Sequence, residues 1–152
     1  MPETTLKVVL AFDFGLKRIG IASGETLTGS AAPLATVRNS DAPEWTAIDR
    51  HVAELKPGQL VVGSPYNAYG SPGALSDAAN GFARELEQRY GLPVARVDER
   101  FSSIDAAARL KERRASGARR RRLRREDIDS AAAAVILERW LQGGQSEVQQ
   151  TR

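Results

Sequence analysis

Short apolar runs alternate along the chain with polar breaks marked by glycine or proline, and the spacing of the apolar positions changes from one run to the next. Leu6–Phe12 (Leu-Lys-Val-Val-Leu-Ala-Phe) is apolar on both faces from Val8 onward, which suits a central strand covered on both sides. Phe14-Gly15-Leu16-Lys17 reads as a turn, and Arg18–Ser23 as a second strand with Ile19 and Ile21 on one face. A third short strand over Ala32–Val37, after the glycine-containing loop Gly24–Gly29, completes an antiparallel meander. The period then lengthens. Trp45, Ile48, Val52 and Leu55 recur at helical spacing and predict a helix over Pro43–Leu55, capped by Ser40 or Asp41 and stopped by Lys56-Pro57-Gly58. Gln59–Gly63 is a short buried strand. Ala74–Tyr90 is a second helix, with Leu75, Ala79, Phe82 and Leu86 inward and Gly91 at its end. Pro93–Asp98 is the next strand. Ser102 can cap a third helix that runs into an arginine-rich segment, and a last helix starts near Arg125–Asp127, includes Ala131–Ala134 and reaches about Leu141.

This order predicts an α/β fold. A meander joined to right-handed strand-helix-strand crossovers makes a mixed five-stranded sheet, part antiparallel and part parallel, with helices on both faces. A length of 152 residues fits one domain, expected over residues 1–142, with the polar stretch 143–152 expected as a disordered tail.

Composition narrows the chemistry. With no Cys, disulfides, thiolate catalysis and Cys-based zinc sites are excluded. The one His, His51, rules out His-pair catalysis and is read as structural or exposed. Val8–Phe12, the longest apolar stretch near the start, is too short for a signal peptide or a membrane span, so a cytoplasmic protein without membrane association is expected. The net charge is only +3, but Arg113–Arg125 is dominated by arginine and holds no acid. Such a run is either a solvated loop or a surface for phosphate backbones, which arginine binds bidentately with release of counterions.

Three acids sit where apolar elements end or begin. Asp13 is expected to close the first strand and Glu99 to follow the strand Pro93–Asp98, while Asp129 opens the last helix. Singly, each has a plain explanation: a turn residue, an ion pair with Arg96 or Arg100, and a helix-dipole partner. Together they would converge if the two strands are parallel and the helix packs across them. Alternation puts Glu99 in register with Ala95 and Val97, with Asp98 as the fallback if the pleat slips by one residue. Asp129 shares a helical stripe with Ala132, Ile136 and Trp140, whereas Asp127 should point elsewhere. Such a trio suits Mg²⁺ or Mn²⁺ and phosphodiester hydrolysis without a side-chain nucleophile. Lys17 and Arg18 could steady a phosphate, and Asn67 and Gly70 could line the same cleft. The loop at 64–73 lacks the Gly-Lys-Ser/Thr ending of a nucleotide-binding P-loop.

Asp13-Phe14-Gly15-Leu16-Lys17-Arg18-Ile19-Gly20-Ile21-Ala22 resembles the opening motif of the YqgF/RuvX family of RuvC-like nucleases. Val61–Asn67 with Gly70, Asp98-Glu99-Arg100-Phe101-Ser102, and Asp129–Ala133 with Ile136-Leu137 resemble its later motifs, in family order and over Leu6 to Leu141. The resemblance implies an RNase H-like fold and divalent-metal nuclease chemistry, with Asp13, Glu99 and Asp129 as catalytic metal ligands. It also implies maturation of the 5′ end of pre-16S rRNA, with Holliday-junction resolution proposed for some members. Ser64 stands where the family usually has leucine, and only three acids are clear where RuvC-type resolvases use four; Asp127 and Asp98 are the candidates for the fourth. Expected contacts to nucleic acid are Lys17, Arg18, Asn67, Arg100, Arg119, Arg120, Arg121 and Arg122. The leading expectation is a nuclease for structured RNA. Its rivals are a DNA-junction-resolving enzyme, which would need a homodimer, and a nucleic-acid-binding protein without catalysis.

Overall fold

A computed structural model describes residues 7–64, 74–98, 125–142 and 149–150. The elements are β1 (Val8–Phe14), β2 (Arg18–Glu25), β3 (Ala31–Arg38), α1 (Trp45–Leu55), β4 (Gln59–Ser64), α2 (Ala74–Tyr90), β5 (Val94–Asp98), α3 (Arg125–Leu141) and β6 (Gln149–Gln150). The sheet order is β3-β2-β1-β4-β5-β6. β1–β3 form the antiparallel meander, and β4 and β5 join β1 in parallel through α1 and α2. The five expected strands and their mixed pairing are present; β6 adds a two-residue edge, with Arg96 opposite Gln149. No helix among the described residues is long and apolar enough to cross a membrane.

Strand parity divides the core. Leu10, Phe12 and Phe14 of β1 turn to one face, with Ile19 and Ile21 of β2 and Leu60 and Val62 of β4. There they meet Ile48 of α1 and Ala79, Phe82, Ala83 and Leu86 of α2. Phe82 lies at the centre of an aromatic group, edge-on to Phe12 and stacked with Trp45. Val9 and Ala11 of β1, Val61 of β4 and Ala95 of β5 turn to the opposite face, onto Ala133, Ala134, Ile136, Leu137 and Trp140 of α3. Ala131–Ala134 are all buried, so this helix is covered on more than its sheet-facing side.

Two local expectations are corrected. β1 runs two residues further than its apolar run because the ladder to β2 and β4 continues through Asp13; the acid lies inside the strand, not after it. α1 begins at Trp45 behind Glu44, and no side chain caps it, so neither Ser40 nor Asp41 serves as the cap. Pro43 instead closes an antiparallel bridge with Asn39, which holds the segment ahead of the helix in a tight turn. At the other end of α1, Lys56 adopts φ 48° and donates its N–H to the Val52 carbonyl, which ends the helix.

Candidate metal and nucleic-acid site

Asp13 owes its orientation to strand parity. Val9 and Ala11 face α3, so Asp13, two residues on, faces α3 as well. Its register partners are Gly20 on β2 and Gly63 on β4. A Cβ on Gly20 would lie 2.0 Å from the Asp129 carbonyl oxygen, and one on Gly63 would lie 2.6 Å from Ile136 Cδ1. Two missing side chains therefore let α3 settle onto the sheet on either side of Asp13. That approach brings Asp129, in the early turns of α3, close to Asp13.

The electrostatics follow from this packing. Asp13 is 7% exposed, and its Oδ1 is buried with no hydrogen-bond partner among the described residues. Burial, with the nearby Asp129 charge adding to it, pushes the Asp13 carboxyl from its ordinary 3.8 up to about 8. Asp129 has a counter-ion: Arg18 Nε donates to its Oδ2 at 2.7 Å, with both side chains partly exposed. Arg18 ends the β1–β2 turn, next to the exposed Lys17.

An orphaned carboxylate oxygen in a protein interior is costly unless a proton or a cation satisfies it. Asp13 and Asp129 supply hard oxygen donors from a strand and a helix, a donor set that fits Mg²⁺ or Mn²⁺. Among the described residues they form a pair and not a trio, since no group of three or more His, Cys, Asp or Glu gathers there. Glu99, Asn67, Arg100, Arg119, Arg120, Arg121 and Arg122 lie outside the described residues. β4 and β5 run parallel to β1, so the strands that precede Asn67 and Glu99 end at the edge of the sheet where Asp13 stands. Ala95 and Val97 take the α3 face, the register on which the expectation for Glu99 rests.

Sequence reasoning missed Asn39. It is buried at the end of β3, donates its backbone N–H to the Lys17 carbonyl at 2.9 Å, and donates Nδ2 to the Gly15 carbonyl at 2.7 Å. Gly15 N–H donates in turn to the Arg18 carbonyl at 3.0 Å. The turn that carries Lys17 and Arg18 is thus closed on itself and tied to β3. The available signal was an Asn just after an apolar strand, where its amide often replaces a backbone group in a turn. Which carbonyls it would reach depended on strand order.

Comparison with known proteins places the chain in a family. Residues 7–143 match the family RuvX: Holliday junction resolvase. A protein of Coxiella burnetii (strain RSA 331 / Henzerling II), named "Putative pre-16S rRNA nuclease", is 42% identical over 148 residues, 97% of this chain and all of that protein. One of the same name from Dechloromonas aromatica (strain RCB) is 50% identical over 105 residues, 68% of this chain and 72% of that one. Among solved structures, T. thermophilus RuvC in complex with a Holliday junction substrate superposes with a TM-score of 0.54, covering 95% of this chain and 99% of that one. At 17% identity that likeness establishes a shared RuvC-type fold. By the match over nearly its whole length, the chain belongs to the RuvX family.

Proposed function

We propose that the protein is a divalent-metal-dependent endonuclease that cleaves phosphodiester bonds in structured nucleic acid, with the 5′ end of pre-16S rRNA as its substrate. The observation that carries this reading is the Oδ1 of Asp13, buried beside Asp129 and without a hydrogen-bond partner among the described residues. Names of relatives that span the whole chain support the RNA substrate.

Asp13 and Asp129 would hold the cation, with Glu99, the residue after β5, as third ligand. When bound, Mg²⁺ or Mn²⁺ supplies activation of water and stabilisation of the leaving oxygen. The remaining work belongs to the chain. Burial keeps bulk water from Asp13, and α3, seated against Gly20, holds Asp129 at a set distance from it. Arg18 neutralises Asp129 and, with Lys17, offers cations to a phosphate at the rim.

The test compares wild type with Asp13→Asn on pre-16S leader RNA and on a four-way DNA junction, with Mg²⁺, Mn²⁺ or chelator. Metal-dependent cleavage of the RNA by wild type alone is the expected result. Equal cleavage by both proteins would place the chemistry elsewhere. Because the matching family is described as a junction resolvase, the second reading is symmetric cleavage of the DNA junction. It requires a dimer with paired sites, which a mass measurement on the junction complex would reveal.

A further inference from the structure

Beyond the carboxylates, a cleft of ≈ 490 Å³ opens between the β1–β2 turn and the end of β3, lined by Lys17, Arg18, Thr36, Arg38, Ser40 and Glu44. Its volume falls in the range of small-ligand sites. Its charges are arranged at a cost. Arg18 and Arg38 are direct partners in the antiparallel β2–β3 ladder, so two guanidinium side chains leave the same face of the sheet side by side. Like charges directly opposite in a ladder destabilise it. Arg18 finds relief in Asp129. Among the described residues, Lys17 and Arg38 make no ion pair, Glu44 is the one acid in the lining, and its carboxylate accepts only the backbone N–H of Arg38, at 3.3 Å. Asn39 meanwhile holds the Lys17–Arg18 turn against the end of β3, so the backbone segments that carry these cations stay side by side.

Lys17 and Arg38, without ion pairs among the described residues, stand with Arg18 beside Thr36 and Ser40, and such a set of cations calls for an anion with several oxygens. Among the described residues the lining holds no aromatic side chain on which a base could stack. We infer that this cleft seats the sugar–phosphate backbone of the nucleic-acid strand flanking the cleaved bond, with Arg38 as a positioning residue. The inference rests on the nuclease reading and extends it: Arg18 links the two places, one side on Asp129 and the other on the cleft. The strand therefore leaves the carboxylates toward β3. Contacts of this kind are sequence-independent and salt-sensitive.

The experiment measures binding of a fluorescent RNA strand, and of DNA of the same sequence, to full-length Asp13→Asn protein over a salt series, with and without Arg38→Gln. Arg38→Gln is expected to weaken binding roughly three- to tenfold and to reduce the slope of log affinity against log salt by about 1. Arg38→Lys should restore the slope. Thermal stability should hold or rise in Arg38→Gln, because a like-charge neighbour has gone; a purely structural arginine would lower it. Loss on both polymers identifies the phosphates as the ligand, and loss on RNA alone adds the ribose hydroxyl. Unchanged affinity and slope on both polymers, or a fall in stability that accounts for the lost binding, overturns the inference. Wild type that cleaves with Arg38→Gln cleaving and binding equally well would defeat the cleft alone, whereas wild type that cleaves neither polymer in any metal would defeat the nuclease reading itself.

Discussion

The two faces of the sheet are built from different materials. The face under α1 and α2 is filled with Phe12, Phe14, Phe82, Trp45 and Leu86, large side chains that bury much area and hold helices at ordinary distance. Under α3 the sheet presents smaller residues, Val9, Ala11, Gly20, Val61 and Gly63, to the alanines, Ile136, Leu137 and Trp140 of the helix. Large sheet side chains at the two glycines would keep the helix away. Small ones bring the backbone at Asp129 against β2 and leave Asp13 Oδ1 buried without a hydrogen-bond partner among the described residues. One face thus supplies stability, and the other gives some of it up to set two carboxylates near each other.

The most drastic break of this contrast is Asp13→Asn. Cleavage should fall by at least about 10²–10³-fold, read in a single-turnover assay at saturating metal. On the opposite face, Phe82→Ala should cost about 3–5 kcal/mol in denaturant unfolding through a cavity in the aromatic group, while folded molecules keep their cleavage rate. Equal loss of rate per folded molecule would show that the faces do not divide the work. Gly20→Ala should cost about 1–3 kcal/mol by pushing α3 off the sheet, and here rate and stability should fall together.

A pH experiment sharpens the same comparison. The folded-state value for Asp13 lies above its unfolded one, so the relative stability its neutral form gives is full below 3.8 and is lost as pH rises toward about 8. In chelator, wild type should lose stability across that interval, and Asp13→Asn should be more stable at pH 8 by on the order of 1–3 kcal/mol. Added Mn²⁺ should reverse the difference, since only the carboxylate gains from the ion. The smallest effect belongs to the rim of the large-residue face. There Asp49 of α1 accepts hydrogen bonds from Arg89 and Tyr90 of α2, and Arg89 lies 4.5 Å over the Trp45 ring. The Arg89 hydrogen bond, with Tyr90 adding to it, lowers the Asp49 carboxyl. Its contribution is therefore present above the unfolded value and lost as pH falls through the lower folded one. The group is exposed and screened, so Asp49→Asn should cost less than about 1 kcal/mol in thermal melts, and less still in salt.

Much of this architecture was legible beforehand, unevenly and for physical reasons. α2 spans the residues expected of it, because a long amphipathic period ended by Gly91, here at φ 65°, is a strong local signal. The end of β1 was misplaced because an acid ends an apolar run on paper, while in the sheet it continues a ladder. The N-terminus of α1 was misplaced because Ser40 and Asp41 are good caps in isolation, whereas the bridge from Asn39 to Pro43 uses that segment otherwise. Nothing in the local sequence singles out Arg38, which follows the expected third strand. Only its place opposite Arg18 makes it a candidate contact.

By itself the order of residues determined the sheet's composition, the helices that cover it and the identity of Asp13 and Asp129 as the acids to watch, since period, turn chemistry and charge are local properties of a chain. Tertiary structure alone decided that two glycines admit α3, that this approach leaves one carboxylate oxygen buried without a partner among the described residues, and that Arg18 stands between Asp129 and a cationic cleft. Those facts depend on which strands become neighbours and how closely a helix can approach them, and both are settled by packing between residues distant in the chain.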